Sequence, residues 1–298
     1  MCPLQSPRMV DPTASEWIFS AIKDRRSCRA FTSTPIEAQL LDGLRLTCAT
    51  PIATPLGHQP RLGVLVAFDP LSSGDQRLGT YGVIRGAHTF IGGVVPIDNS
   101  QSLVDFGYAM QRCVLWATHH GLATCWLGAT FRRGAFTQAL GATEQECVPA
   151  TSPVGYAREK STLLDATMRW AAGSKHRKPW SLLFFTGDFQ TPLHEKEAGR
   201  YAAALEMLRL APSASNLQPW RVLRASDGAW HFYVQRSSQI LRMSGIDLQL
   251  IDLGIAMYHF QGAAQALGLE GTWLRDHTPQ PEVSLPKRTR YIATWQPA

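Results

Sequence analysis

Residues 105–127, DFGYAMQRCVLWATHHGLATCWL, and residues 252–274, DLGIAMYHFQGAAQALGLEGTWL, are one segment written twice. They align without a gap at an offset of 147 residues, and nine positions are identical: Asp105/Asp252, Gly107/Gly254, Ala109/Ala256, Met110/Met257, Ala117/Ala264, Gly121/Gly268, Leu122/Leu269, Trp126/Trp273 and Leu127/Leu274. A repeat of about half the chain is too long for a solenoid unit. It predicts two copies of a domain fused head to tail, a symmetric dimer drawn into one chain. The halves of a fused dimer are free to diverge, so one of two paired sites can be kept and the other lost.

The chain has 298 residues and 45% hydrophobic content, enough to bury a full core in one or two domains. It contains no run of 18 apolar residues, and its first 17 residues hold Pro, Ser and Asp where a signal peptide needs an apolar stretch. The expectation is a cytoplasmic protein with no membrane partner. Six cysteines lie scattered without a CxxC pair or a His at ligand spacing, which fits a reduced compartment and gives no metal site. His119 and His120 are neighbours on an expected helix, pointing about 100° apart, and so make a poor metal pair. The net charge is +6, but the basic residues are dispersed, which argues against nucleic acid and leaves enough cations for an anionic small molecule.

The organisation read from the pattern is a disordered tail over 1–14, a first half over 15–187 and a second over 188–298, with Gly, Asp, Gln, Thr and Pro clustering at 187–192. Apolar periodicity places helices at 16–24, 36–48, 101–120, 194–210 and 248–267. Strands are expected at 62–67, 89–95, 221–223, 230–235 and 291–295, with an apolar run at 181–185. Helices mixed with non-consecutive strands indicate an α+β fold. No GxGxxG follows a strand, so a dinucleotide-binding domain is not expected.

Two motifs carry chemistry. Arg25-Arg26-Ser27-Cys28-Arg29 offers three guanidiniums and a hydroxyl within five residues, a clamp for a phosphate or another dianion. Lys175-His176-Arg177 adds two more cations. Pro212-Ser213-Ala214-Ser215-Asn216-Leu217-Gln218-Pro219-Trp220 lies between a helix and a strand and presents small hydrogen-bonding groups to a flat polar edge. Each motif alone is also consistent with an ordinary solvated turn or charged surface.

Together these pieces resemble the nitroreductase superfamily of flavin enzymes, in particular its fused single-chain branch with two domain copies. The residues that carry the resemblance are Arg25–Arg29 (RRSxR), Pro212–Trp220 (PSxxNxQPW), Asp105–Phe131 with Thr124-Cys125-Trp126-Leu127-Gly128-Ala129, Gly155-Tyr156-Ala157 with Glu159-Lys160, and Lys175-His176-Arg177 before Pro179. The resemblance spans about 16–296. It implies a nitroreductase-like α+β fold whose two tandem copies form an intrachain pseudo-dimer, so that a monomer suffices. It also implies FMN at the interface of the halves. Arg25, Arg26, Ser27 and Arg29, with Lys175 and Arg177, would hold its phosphate, ribityl chain and N1/O2 edge. Pro212, Ser213, Ala214 and Asn216 would come from the second half, and Leu127, Gly128 and Ala129 would form the turn near N5.

The second composite site is expected to be dead. The first-half counterpart of the 212–220 loop is TPIATPLGHQP, residues 50–60, which keeps Gln59-Pro60 but not the Ser and Asn. The second-half counterpart of RRSxR, near 191–200, is unrecognisable, and the second repeat turn, Leu274-Arg275-Asp276, has lost its Gly-Ala. One FMN per chain follows. By resemblance, NADH or NADPH would deliver hydride to the flavin and leave before a small acceptor, such as a nitroaromatic or quinone, takes its place, giving ping-pong kinetics. Arg29 would stabilise negative charge at the N1/C2=O edge. No side chain need act as a general acid, so no catalytic residue is assigned. Two other readings stay open at this point: a flavin carrier or sensor without turnover, and an interaction scaffold that has lost the flavin.

Overall fold

A computed structural model describes residues 13–67, 78–158, 176–237, 242–243, 245–275 and 283–298. Most of the expected tail, together with Glu159, Lys160, Lys175 and Asp276, lies outside the described residues. The first stretch contains α1 (Thr13–Asp24), α2 (Ala38–Ala49), β1 (Arg61–Val66), β2 (Thr89–Pro96), α3 (Ser102–His119), β3 (Ala123–Thr124), α4 (Arg133–Ala139), β4 (Glu146–Cys147) and β5 (Thr151–Gly155). There follow β6 (Phe184–Thr186), β7 (Asp188–Pro192), α5 (Ala202–Arg209), β8 (Trp220–Arg224), β9 (Trp230–Gln235), β10 (Arg242–Met243), β11 (Ile246–Asp247), α6 (Leu248–Ala266), β12 (Gly271–Leu274) and β13 (Thr289–Pro297).

The two repeated segments become α3 and α6, and each is buried on nearly every side. A helix that is apolar all round belongs in the middle of a core, and these two pack on each other there. Their contact is made at the shared glycines. A Cβ on Gly107 would lie 2.2 Å from the Ile251 carbonyl oxygen, and one on Gly254 would lie 1.9 Å from that of Val104. Only glycine lets the two backbones approach this closely. Both repeat helices are followed by a glycine in the left-handed region, Gly121 at φ 77° and Gly268 at φ 69°, which stops the helix and turns the chain into β3 or toward β12.

A sheet flanks each helix. The first has the order β1-β2-β5-β3, with β4 also pairing β2, and its strand pairs are antiparallel. The second has the order β12-β13-β9-β8-β6-β7 and is antiparallel except where β6 runs parallel to β8, Phe184 opposite Val222. The fold is therefore mixed α+β.

Local departures from the expected elements have identifiable causes. Instead of one helix over 194–210, a 3-10 turn, Glu195–Tyr201, is broken at Gly199 (φ 56°, ψ −133°), a conformation no helix contains, and α5 starts after it. The 187–192 stretch forms a hairpin in the second sheet: Asp188 Oδ1 accepts from the N–H groups of Gln190 and Thr191, both at 2.8 Å, and β6 pairs with β7. So β6, on the first-half side of the expected boundary, is a strand of the second sheet.

Candidate functional site

The Arg25–Arg29 segment leaves α1 with the Arg25 N–H still donating to the Ala21 carbonyl at 3.0 Å. It then runs alongside β3, with Ser27 opposite Thr124 and the Cys28 N–H donating to the Thr124 carbonyl at 2.9 Å. This pairing sets which side chains go inside. Arg25 is buried; burial first, then the nearby Arg177 and Arg26 guanidiniums, lower its pKa to about 10. The Cys125 thiol lies near Arg29, Arg25 and Ser27, and burial raises its pKa despite those neighbours. Arg29 has a buried Nη1 with no hydrogen-bond partner among the described residues. Arg26 is exposed and folds back, donating to the carbonyls of Lys23 and, at 3.0 Å, Arg25, which completes the end of α1. None of Arg25, Arg26 and Arg29 has a carboxylate partner among the described residues.

The 212–220 loop holds Ser215, Asn216 and Gln218 at φ 49°, 53° and 48°, three non-glycine residues in the left-handed region within four positions. Such backbone persists only where its surroundings fix it. Here the Gln218 N–H donates to Ser213 Oγ at 2.9 Å, and Asn216 Nδ2 donates to the His176 carbonyl at 2.7 Å. Arg177 donates to Asn216 Oδ1 at 2.9 Å and to the Leu210 carbonyl at 3.0 Å. The Lys178 N–H donates to Gln218 Oε1 at 2.8 Å, while Lys178 Nζ donates to the Leu217 carbonyl at 2.7 Å. Burial, then Arg221, pushes the Lys178 ammonium down to about 8. Residues 176–178 and 212–218 thus form one hydrogen-bonded body, and it holds Arg177 near Arg25 and Arg26.

Helix α6 supplies the floor. Asp252 Oδ1 accepts from the Ala214 N–H at 2.9 Å, pinning the loop, while its Oδ2 is buried without a partner among the described residues. Gln249 Oε1 is in the same position. His259 donates from Nδ1 to the Met207 carbonyl at 2.9 Å and accepts at Nε2 from Gln111 at 2.8 Å. Trp126 donates to the other end of Gln111 at 2.9 Å, so this buried chain links the 127–129 turn to α6. Burial, with Arg25 and Arg177 close by, lowers the His259 pKa to about 3, so the imidazole is neutral.

The turn itself is tightly held. The Leu127 N–H and carbonyl both pair with Thr151, at 2.8 and 3.0 Å, so this N–H is not left for a ligand. Gly128 packs on Leu248, where a Cβ would come within 2.8 Å, and its carbonyl accepts from Arg133 at 3.0 Å. Of the residues expected from sequence, Arg25, Arg26 and Arg177 converge, Ser27 and Arg29 join them through Cys125, and Asn216 orients Arg177. Ser213 braces the loop and Ala214 takes the Asp252 bond. Pro212 and Ala129 lie on these same segments, and Lys175 falls outside the described residues. Sequence reasoning missed Cys125, Lys178, Gln218, Gln249, Asp252 and His259. Asp252 had a signal, being the first identity of the repeat, and Gln218 lies inside the quoted loop motif.

The equivalent place in the first half is built differently. Asp105 accepts from the N–H groups of Leu56 (2.9 Å) and His58 (2.8 Å) and from His58 Nδ1 (2.9 Å), and Asn99 Nδ2 donates to His58 Nε2 at 2.8 Å. Arg275, the repeat counterpart of Gly128, lays its guanidinium on Gly57: a Cβ there would fall 1.6 Å from Nη2.

A family model whose description reads "Putative TM nitroreductase" matches residues 17–264. The chain belongs to this nitroreductase family. A solved structure from Thermotoga maritima with the same designation has this nitroreductase fold over its length: 18% identity, 98% of this chain and 99% of that one covered, TM-score 0.59. A nitroreductase from Bacteroides fragilis, solved with bound FMN, shares 21% identity over 49% of this chain and 91% of its own, at TM-score 0.39. No curated protein matches. Among the described residues of this nitroreductase, no group of three His, Cys, Asp or Glu could hold a metal, and no helix is long and apolar enough to cross a membrane. A surface cavity of about 350 Å³ near Tyr201, Arg224 and Trp230 shares no residue with the site.

Proposed function

We propose that this chain is an FMN-dependent oxidoreductase that takes electrons from NADH or NADPH and passes them to a small acceptor such as a nitroaromatic or quinone by a ping-pong sequence, in the cytoplasm. The observation that carries the reading is the convergence of Arg25 and Arg177 beside Arg29, whose buried Nη1 lacks a partner among the described residues. Buried like charges repel, and an unpaired buried donor is costly, unless an anion with acceptor oxygens completes them. The residues fit FMN on that ground.

FMN, when bound, supplies hydride chemistry at N5. Arg25, Arg177 and, in this reading, Lys175 hold its phosphate, with Ser27 beside them and Arg26 at the exposed rim. Arg29 faces the N1/O2 edge, where a fixed cation favours developing negative charge. Asn216 orients Arg177, Pro212–Ala214 form the second-half wall, and Leu127, Gly128 and Ala129 form the wall near N5.

We further read the chain as two tandem copies with a boundary near 187–188, acting as a pseudo-dimer and sufficient as a monomer. Supporting this, Gly107 and Gly254 play reciprocal parts in the helix contact, and Asp105 and Asp252 each tie down the loop of their own half. The Arg275 guanidinium on Gly57 bridges turn and loop where the second flavin would lie, which supports one FMN per chain.

The test is the visible spectrum of the purified protein with added FMN, followed by anaerobic NADH or NADPH. Expected are one FMN per chain, bands that bleach, and an Arg29→Met variant that binds FMN about 10–100-fold more weakly. Bands that persist with both donors would make the protein a carrier, and a protein that takes up no FMN would overturn the reading altogether.

A further inference from the structure

Resting on that flavin reading, we infer that Arg133 is a positioning residue: its guanidinium holds and polarises the Gly128–Ala129 peptide, so that the Ala129 N–H is the donor that the turn offers beside N5. The turn is already fixed up to Leu127. That residue pairs with Thr151 in both directions, and Thr151 Oγ1 donates to the Ile91 carbonyl at 2.7 Å, which ties Leu127 through β5 to β2. The next carbonyl along the chain, that of Gly128, accepts from Arg133 Nη2 at 3.0 Å. A trans peptide is planar and directs its N–H opposite to its C=O, so the Ala129 N–H points away from Arg133. Among the described residues nothing accepts from it.

Arg133 is itself held from several sides. Its Nη1 donates to the Val148 carbonyl and, at 3.1 Å, to that of Pro149, and its guanidinium carbon lies 4.7 Å from the centre of the Phe131 ring. Three carbonyls and an aromatic face fix the fork, and no carboxylate pairs with it among the described residues. Its charge is therefore not cancelled by an anion, and it acts on the turn peptide it touches. The stability of α4 does not account for the placement, because Arg133 is the first residue of that helix, where the dipole disfavours a cation. A charged donor on a carbonyl draws electron density out of the amide and strengthens its N–H as a donor. A stronger fixed donor at this place favours the electron-rich, reduced flavin over the oxidised one, so Arg133 raises the potential of the site.

The experiment reads the reduction potential of bound FMN against a reference dye, and the Kd of oxidised FMN by absorption, in wild type, Arg133→Met and Arg133→Lys. In Arg133→Met reduced FMN loses about tenfold more affinity than oxidised FMN, the effect of one charge-assisted hydrogen bond, which lowers the potential by about 30 mV for a two-electron couple. Arg133→Lys, which keeps the cation, recovers most of that difference. If Arg133→Met takes up no FMN, Arg133→Gln, which keeps a donor for the Gly128 carbonyl without the charge, shows the same imbalance. An unchanged potential in a neutral variant with FMN bound would overturn the inference. Variants that lose only Tm, or that lose both redox states alike, would also overturn it by reducing Arg133 to a brace, and would leave the flavin reading standing. Wild-type protein that takes up no FMN would bring down the flavin reading and this inference with it.

Discussion

Replacing Asp252 by Asn removes a buried carboxyl group that is only half satisfied, and with it a pH dependence of folding. Asp252 is 4% exposed; its Oδ1 accepts from the Ala214 N–H, and Oδ2 has no partner among the described residues. Asp105, at the same place in the other repeat, accepts three hydrogen bonds. Burial, opposed by the Ala214 N–H and assisted by Asp247, pushes the Asp252 carboxyl from 3.8 to about 8. A raised folded-state pKa means that the folded protein holds the proton more tightly than the unfolded chain. The stabilisation is therefore complete below about pH 4 and is lost as pH rises toward 8. At about 1.4 kcal/mol per pH unit, the loss approaches ~5 kcal/mol, comparable with the whole stability of a marginal domain. Asn keeps an oxygen for the Ala214 N–H and cannot ionise. Urea unfolding of both proteins from pH 4.5 to 8.5 should show wild type losing stability steadily while Asp252→Asn stays several kcal/mol flatter. Parallel curves would refute the reasoning, because they would mean that Oδ2 meets a donor in the folded protein and titrates normally.

His259 should give the opposite slope. Burial lowers its pKa from 6.5 to about 3, so its contribution is present above pH 6.5 and is lost as pH falls toward 3. His259→Gln should flatten thermal melts across that window relative to wild type. Gly254→Ala should cost about 3 kcal/mol or more, because its Cβ would meet the backbone of Val104 and Tyr108 at 1.9 and 2.8 Å and α3 and α6 must separate. Gly134→Ala in α4, where a Cβ meets nothing within 4 Å, is the control and should leave Tm level or slightly raised. Equal melting temperatures for the two glycine variants would exclude the close helix contact.

The sequence by itself determined what depends on local pattern. Apolar periodicity in the two repeats marked α3 and α6 to within a residue or two, and identical glycines at 107/254 and 121/268 pointed to one local structure used twice. The RRSCR segment and the Ser/Asn loop announced their chemistry through residue type alone, and they carried the family. Tertiary structure decided what depends on partners far along the chain. Residues 188–192 have turn composition, yet they become a strand because β6, paired with β8 on one side, offers its other edge. Arg26 belongs to the motif, but the free carbonyls at the end of α1 claim its donors. Cys125 and His259 enter the site only because the end of β3 and α6 bring them against Arg25, about 100 and 230 residues away in the chain, a juxtaposition that no local period records. Whether a buried polar atom has a partner is likewise settled by packing, which is why Asp105 and Asp252, alike in sequence, differ in the number of hydrogen bonds that reach them.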